Sequence, residues 1–186
     1  MVWLILGVAL WWAAHFFKRA APGPRAKLGD AGKGGVALAL VVSLLLMWWG
    51  YRTYFGPVWW GRSAPLVGVN NLLMVAAFYI YASGATPPGR PRNRVGTMLR
   101  HPQLIGFSLF CVAHLVVNGD LASFILFGGL LIWALTEIVV INRLDPAWER
   151  PAWGGVKSEV RIAVIAAVIF AIVALIHGWV GPWPFG

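Results

Sequence analysis

Acidic residues are scarce in this chain. Six aspartates and glutamates stand against fifteen lysines and arginines, and all charged residues together make up 11% of the 186 positions. A water-soluble domain carries about a quarter of its residues as charges to clothe its surface, so a soluble globule is excluded. Cysteine is almost absent as well, and a lone Cys111 rules out an internal disulfide. The chain has no phosphate-binding glycine loop, no His-x-x-x-His zinc spacing and no serine-nucleophile motif. Neither a long hydrophilic linker nor a fixed-period repeat divides it, so residues 1–186 read as one transmembrane domain.

Apolar side chains fill the space left by charge. They make up 60% of the residues, the mean hydropathy is +0.75, and several of the twelve tryptophans stand at the ends of apolar runs, where indole rings favour the membrane interface. A bilayer crossing takes about 20 mainly apolar residues. Six runs qualify: Val2–Phe17, Gly35–Tyr54, Leu66–Ser83, Pro102–Val117, Leu121–Ile141 and Val160–Val180. The expected fold is therefore all-α, an integral membrane bundle of about six helices. Met1–Phe17 has no basic leader and no small-residue cleavage site, and it reads as a retained first span. The "GATPPG" after Ser83 stops the third run, and Pro102 suits the first position of the fourth. Only Asn118-Gly119-Asp120 joins the fourth and fifth runs, which predicts an antiparallel hairpin with Asp120 capping its second helix.

Charge in the loops predicts orientation. Lys18, Arg19, Arg25, Lys27 and Lys33 lie in the first loop, Arg90, Arg92, Arg94 and Arg100 in the third, and Arg143, Arg150, Lys157 and Arg161 in the fifth. The second loop holds only Arg52 and Arg62, and the fourth holds none. Positive loops stay cytoplasmic, so both termini of this multi-pass chain are expected outside, which is periplasmic in a Gram-negative cell. The net charge of +9 is then directed at lipid headgroups, and no nucleic-acid partner is expected.

The chemistry concentrates in "LRHPQLIGFSLFCVAHLVVNGD", Leu99 to Asp120. Phe107, Cys111, His114 and Asn118 follow steps of four, three and four, which is one helix face. Lipid offers imidazole no partner, so that face is expected to look into the bundle. His15 and His177 lie in other spans, and His101 stands at the mouth of the fourth. Imidazole and thiolate both ligate iron, and haem is held in apolar pockets by such groups. The plainer alternative is that His114 bonds a backbone carbonyl, Cys111 only packs, and His101 caps the chain or meets a lipid phosphate. Glu137, the one acid well inside a span, could take part in proton chemistry, but near the cytoplasmic end it is expected to pair with an arginine or to snorkel. At 1.5 Å per residue, His15 lies about 21 Å from the outer end of its helix and His114 about 6 Å from the Asn118 turn. Depth therefore pairs His114 with His177, and His15 with His101.

Arg100-His101-Pro102, Ala113-His114-Leu115, the Asn118–Ser123 run and the "LFGG" that follows resemble the signature of the NnrU family. That family comprises bacterial inner-membrane proteins linked to nitrite and nitric oxide metabolism. The stretch is also similar to the related plastid 15-cis-zeta-carotene isomerase, a haem b enzyme, in the spacing of His101, Cys111 and His114. The resemblance implies haem b held by His15 and His114, with Cys111 as an exchanging ligand; that pair is the one expected, and His177, which matches His114 in depth, is the substitute. It implies either a role in nitrogen-oxide metabolism or a haem-dependent isomerase acting on an apolar small molecule. Phe16 follows His15 where the family usually has serine, and the isomerase's long hydrophilic segment before the last helix is missing. "RHPQLIG" also resembles the motif of isoprenylcysteine carboxyl methyltransferases, which implies S-adenosylmethionine near His101, with Leu104 in the place of a tyrosine. A third expectation is a non-catalytic assembly or transport factor, whose protein partners the sequence does not name.

Overall fold

In the computed structural model of the protein, which describes residues 1–87 and 89–186, nearly every apolar run is helical. The long helices are α1 (Val2–Ala20), α3 (Gly29–Arg52), α4 (Ala64–Ser83), α6 (Pro102–Val117), α7 (Leu121–Leu144) and α8 (Gly155–Val180). Two short helices, α2 (Pro22–Lys27) and α5 (Arg94–Met98), fill connections. Helix α6 has the bounds expected from sequence. Helix α3 begins six residues before the expected Gly35, and α8 begins five before Val160. Backbone hydrogen bonding continues past the apolar stretch into the polar flank, where an Asp30–Lys33 pair at 2.8 Å supports the first turn of α3.

Four of these helices, α3, α4, α7 and α8, are long and apolar enough to cross a membrane. Helix α6 has 16 residues, or about 24 Å, against a hydrocarbon core of about 30 Å. It stops short because Asn118 leaves the helix and the chain enters a two-stranded strip. There β1 (Val58–Trp60) pairs antiparallel with β2 (Gly119–Asp120), Val58 facing Asp120 and Trp60 facing Gly119. The outward surfaces are apolar: Leu72 is 74% exposed and Leu38 64%. Such a belt would be a liability in water and belongs in lipid.

Close approach holds the helices together. On α6, a Cβ at Gly106 would fall 2.7 Å from both the Ala77 carbonyl and the Tyr81 amide of α4, so this crossing requires glycine. Helix α1 packs along α3, and the buried Ser43 hydroxyl donates to the Gly7 carbonyl at 2.8 Å. Leu4, Val8, Met47, Cys111, Ala122, Phe127 and Leu130 form the core where α1, α3, α6 and α7 meet. Helix α8 leans on α4 through Ile162, Ala166 and Phe170 and leaves most of its surface outward.

Candidate functional site

The bundle has two chemically distinct ends. At one, the α6–α7 hairpin turns through Asn118 to Asp120. Asp120 caps α7 as expected, its Oδ1 accepting from the Ser123 amide at 2.9 Å and its Oδ2 from the Ser123 hydroxyl at 2.7 Å. Tyr51, at the end of α3, shares a hydrogen bond with the same hydroxyl at 2.9 Å. Just past this cap α7 widens into a π-helical segment, Phe124–Gly128, a feature common at functional sites. The widened turn sets Phe127 parallel to the His114 ring, with centroids 4.5 Å apart.

His114 lines a cavity of about 260 Å³, and His177 lines it from α8. The other walls include Tyr51, Asn70, Asn71, Asn118 and Phe127, with Arg62 at the rim. After α8 the chain folds back, so that Pro182 and Pro184 also line the cavity. This return is tied down by the Arg62 guanidinium, which donates to the Trp183 carbonyl, and by Trp183 packing on Phe185 at 5.5 Å.

The tautomers follow from the partners. A carbonyl oxygen only accepts, so His114 Nδ1 donates to the Phe110 carbonyl at 3.0 Å and His177 Nδ1 donates to the Pro182 carbonyl at 2.8 Å. Each neutral ring then keeps its lone pair on Nε2, which has no hydrogen-bond partner among the described residues. Metal-ligating histidines are held in this way, one nitrogen anchored to a carbonyl and the other presented. The Oδ1 of Asn70, in the same wall, is buried without a donor, and such an atom calls for a guest carrying an N–H or O–H.

His15 lies elsewhere. Its Nδ1 donates to the Trp11 carbonyl at 2.9 Å, and its ring packs between Trp11 and Trp133, with centroids at 4.3 and 4.6 Å. From His15 to His114 the path runs through Trp133, Phe107 and Phe110, each ring touching the next. The structure thus brings His114 and His177 into one cavity and leaves His15 outside it, on the far side of an aromatic wall. Cys111, on the same α6 face, is fully buried in the core beside Leu4 and Val8. His101 Nε2 donates to the Asn142 Oδ1 at 2.8 Å and lines a different cleft of about 540 Å³. His15 and His101 therefore do not meet either.

At the opposite end arginines and carboxylates are spent on one another. Arg19 pairs with Glu137, as the lone intramembrane acid was expected to pair with an arginine. The Arg100 guanidinium donates to the carbonyls of Asp145, Pro146 and Ala147. Glu159 accepts from the Trp153 indole, the Tyr79 hydroxyl and the Arg94 amide. Near His15 three buried polar atoms lack partners: Trp11 Nε1, Trp133 Nε1 and Glu137 Oε2.

Sequence reading missed Asn70, Asn71, Tyr51, Phe127 and Arg62. The adjacent asparagines were the available signal, since amides are costly inside an apolar helix and need a partner or a cavity. Phe127 carries no such mark, because only the π-helical turn aims it at His114.

Residues 3–184 match the NnrU protein family. The chain belongs to that family. No curated protein and no solved structure matches it.

Haem b is an apolar iron macrocycle edged by carboxylates. Two imidazoles with presented Nε2 atoms, aromatic walls at Phe127 and Phe170, and a cationic Arg62 at the rim match an apolar macrocycle that carries carboxylates. The space of about 260 Å³ is below the roughly 300–1,000 Å³ of ordinary ligand pockets, so the cavity as it stands takes only part of the macrocycle. Between His15 and His114 the fit fails, since Trp133, Phe107 and Phe110 fill the gap.

Proposed function

We propose that this NnrU-family chain is a six-span bacterial inner-membrane protein, both termini periplasmic, that holds haem b at the cavity shared by His114 and His177. The observation that carries the reading is the joint lining of one cavity by two imidazoles whose Nδ1 atoms are both anchored to carbonyls. Six passes are supported by the gathering of helix ends. The last turn of α3 reaches the start of α7 through Tyr51 and the end of α8 through Arg52, while the end of α1 reaches the second half of α7 through Arg19.

Bound haem b supplies redox chemistry and an iron site for small molecules. The protein's own groups do the rest. Phe127 and Phe170 exclude water, Asn70 offers an acceptor, and Arg62 is placed to meet carboxylates at the rim. A groove of wholly apolar lining between α4, α6 and α8 shares Phe78 and Val173 with the cavity, which gives an apolar guest a way in from lipid. The absence of the isomerase's long hydrophilic segment before the last helix favours the nitrogen-oxide role over carotenoid isomerisation.

The test is the absorption spectrum of detergent-purified protein from haem-replete cells. A Soret band is expected, lost in His114→Ala, shifted or weakened in His177→Ala and retained in His15→Ala. A colourless wild type sinks the haem reading. Bleaching by His15→Ala with no effect of His177→Ala would restore the pair that the family resemblance implies and displace the one chosen here.

A second reading has its own observation. The His101 cleft of about 540 Å³ is within the size range of cofactor pockets, and its lining joins Trp148, Asp145 and Glu149 to Arg92, Arg100 and Arg150, groups able to meet the adenine, the cationic sulfonium and amine, and the carboxylate of S-adenosylmethionine in a methyltransferase. Calorimetry with S-adenosylmethionine separates the two: saturable heat abolished by His101→Ala supports this reading, and no heat removes it.

A further inference from the structure

The arginine end carries a second feature that the haem reading leaves unused. An open cleft of about 1,100 Å³ lies between the start of α8 and the segment that follows α4. Arg90, Lys157 and Arg161 line it, and no acidic residue among the described residues does. Elsewhere at this end Arg19, Arg92, Arg100 and Arg150 have partners. The three in the cleft have neither a salt bridge nor a side-chain hydrogen bond among the described residues. Deeper in the wall Thr86 is only 7% exposed, and its Oγ1 is buried without a partner. The cleft also opens at the first turn of α8, where the helix dipole adds positive potential. Its walls then change character: Val160 and Ile165, on the next turns of α8, are 57% and 39% exposed and apolar.

We propose that this cleft is a binding site for the phosphate headgroup of an anionic phospholipid, with the acyl chains running down α8 past Val160 and Ile165. Three unmatched cations and an unsatisfied hydroxyl supply what a phosphodiester needs: charge and a donor at one end of a site whose other end is oil. A free phosphate ester shares the first requirement and has no use for the second, and the apolar continuation of the cleft favours the lipid. Basic pockets between membrane helices are a recurring form of headgroup recognition.

The test uses the full chain purified in detergent, mixed with vesicles of equal parts phosphatidylglycerol and phosphatidylcholine, with retained lipid read by native mass spectrometry. The wild type is expected to keep phosphatidylglycerol. Each basic residue near an anionic surface is worth about a fivefold gain in affinity, so Arg90→Gln/Lys157→Gln/Arg161→Gln should lose about a hundredfold in preference. All three side chains are exposed, so the fold should survive. Thr86→Val should weaken retention by about fivefold, the worth of one hydrogen bond. The control Arg25→Gln/Lys27→Gln/Lys33→Gln removes equal charge from another loop and should change nothing. The proposal falls if the cleft variant keeps its lipid or if the control loses as much. It also falls if inorganic phosphate, at equal concentration, displaces the lipid, because the ligand would then be a phosphate anion and not a membrane component.

Discussion

The two ends of the bundle handle polar groups in opposite ways. At the arginine end, charge meets charge or carbonyl: Arg19 with Glu137, Arg100 with the turn at Asp145, Glu159 with three donors. At the histidine end charged groups among the described residues bond only neutral partners, Asp120 with Ser123, Arg52 and Arg62 with carbonyls, and several groups are held but not consumed. His114 and His177 each use one nitrogen and present the other, and Asn70 keeps an acceptor unfilled. Buried groups that satisfy one another hold a fold, whereas groups fixed in place with capacity left over are prepared for a guest. On the proposed reading the first end serves chiefly stability and the second binding, with capacity left over at the first end in Trp11, Trp133 and Glu137 beside His15 and in the Arg90–Lys157–Arg161 cleft.

Substitutions can break that contrast. The largest loss is expected from Arg19→Ala, which leaves the Glu137 carboxylate, 7% exposed, buried and unpaired; stability should fall by about 3–5 kcal/mol. Thermal unfolding in detergent measures it, and adding Glu137→Leu should recover most of the loss. Next comes Gly106→Val, midway between the ends, where the new side chain collides with the α4 backbone at a cost of about 1–3 kcal/mol. Asp120→Ala removes the cap of α7 and should cost about 1 kcal/mol, read in the same assay. The smallest effect belongs to His177→Gln, which keeps a donor for the Pro182 carbonyl and should shift stability by under about 0.5 kcal/mol while still perturbing any Soret band. Were His177→Gln to cost as much as Arg19→Ala, the division between a holding end and a binding end would be wrong.

Much of this was legible beforehand, for identifiable reasons. Apolar runs give the long helices, because in lipid the backbone must satisfy itself. Pro102 and Asp120 mark their helix starts because each has local chemistry suited to that position. Depth along the helices offered His114 with His177 and His15 with His101; the first two line one cavity and the second two do not meet. The separation of His15 from His114 was not, because it depends on where the rings of Trp133, Phe107 and Phe110 pack. Val58–Trp60 carries no sign that it will lie on Gly119–Asp120, a pairing between segments about sixty residues apart. The π-helical turn at Phe124–Gly128 depends on packing against neighbouring helices, and no residue type in it demands the extra width.

The fold-back after α8 has a practical consequence. Pro182 and Pro184 form part of the cavity wall, so an affinity tag or fluorescent protein joined behind Gly186 would pull on the chamber's own wall, and colour or binding recorded on such a fusion would reflect the handle as much as the room behind it.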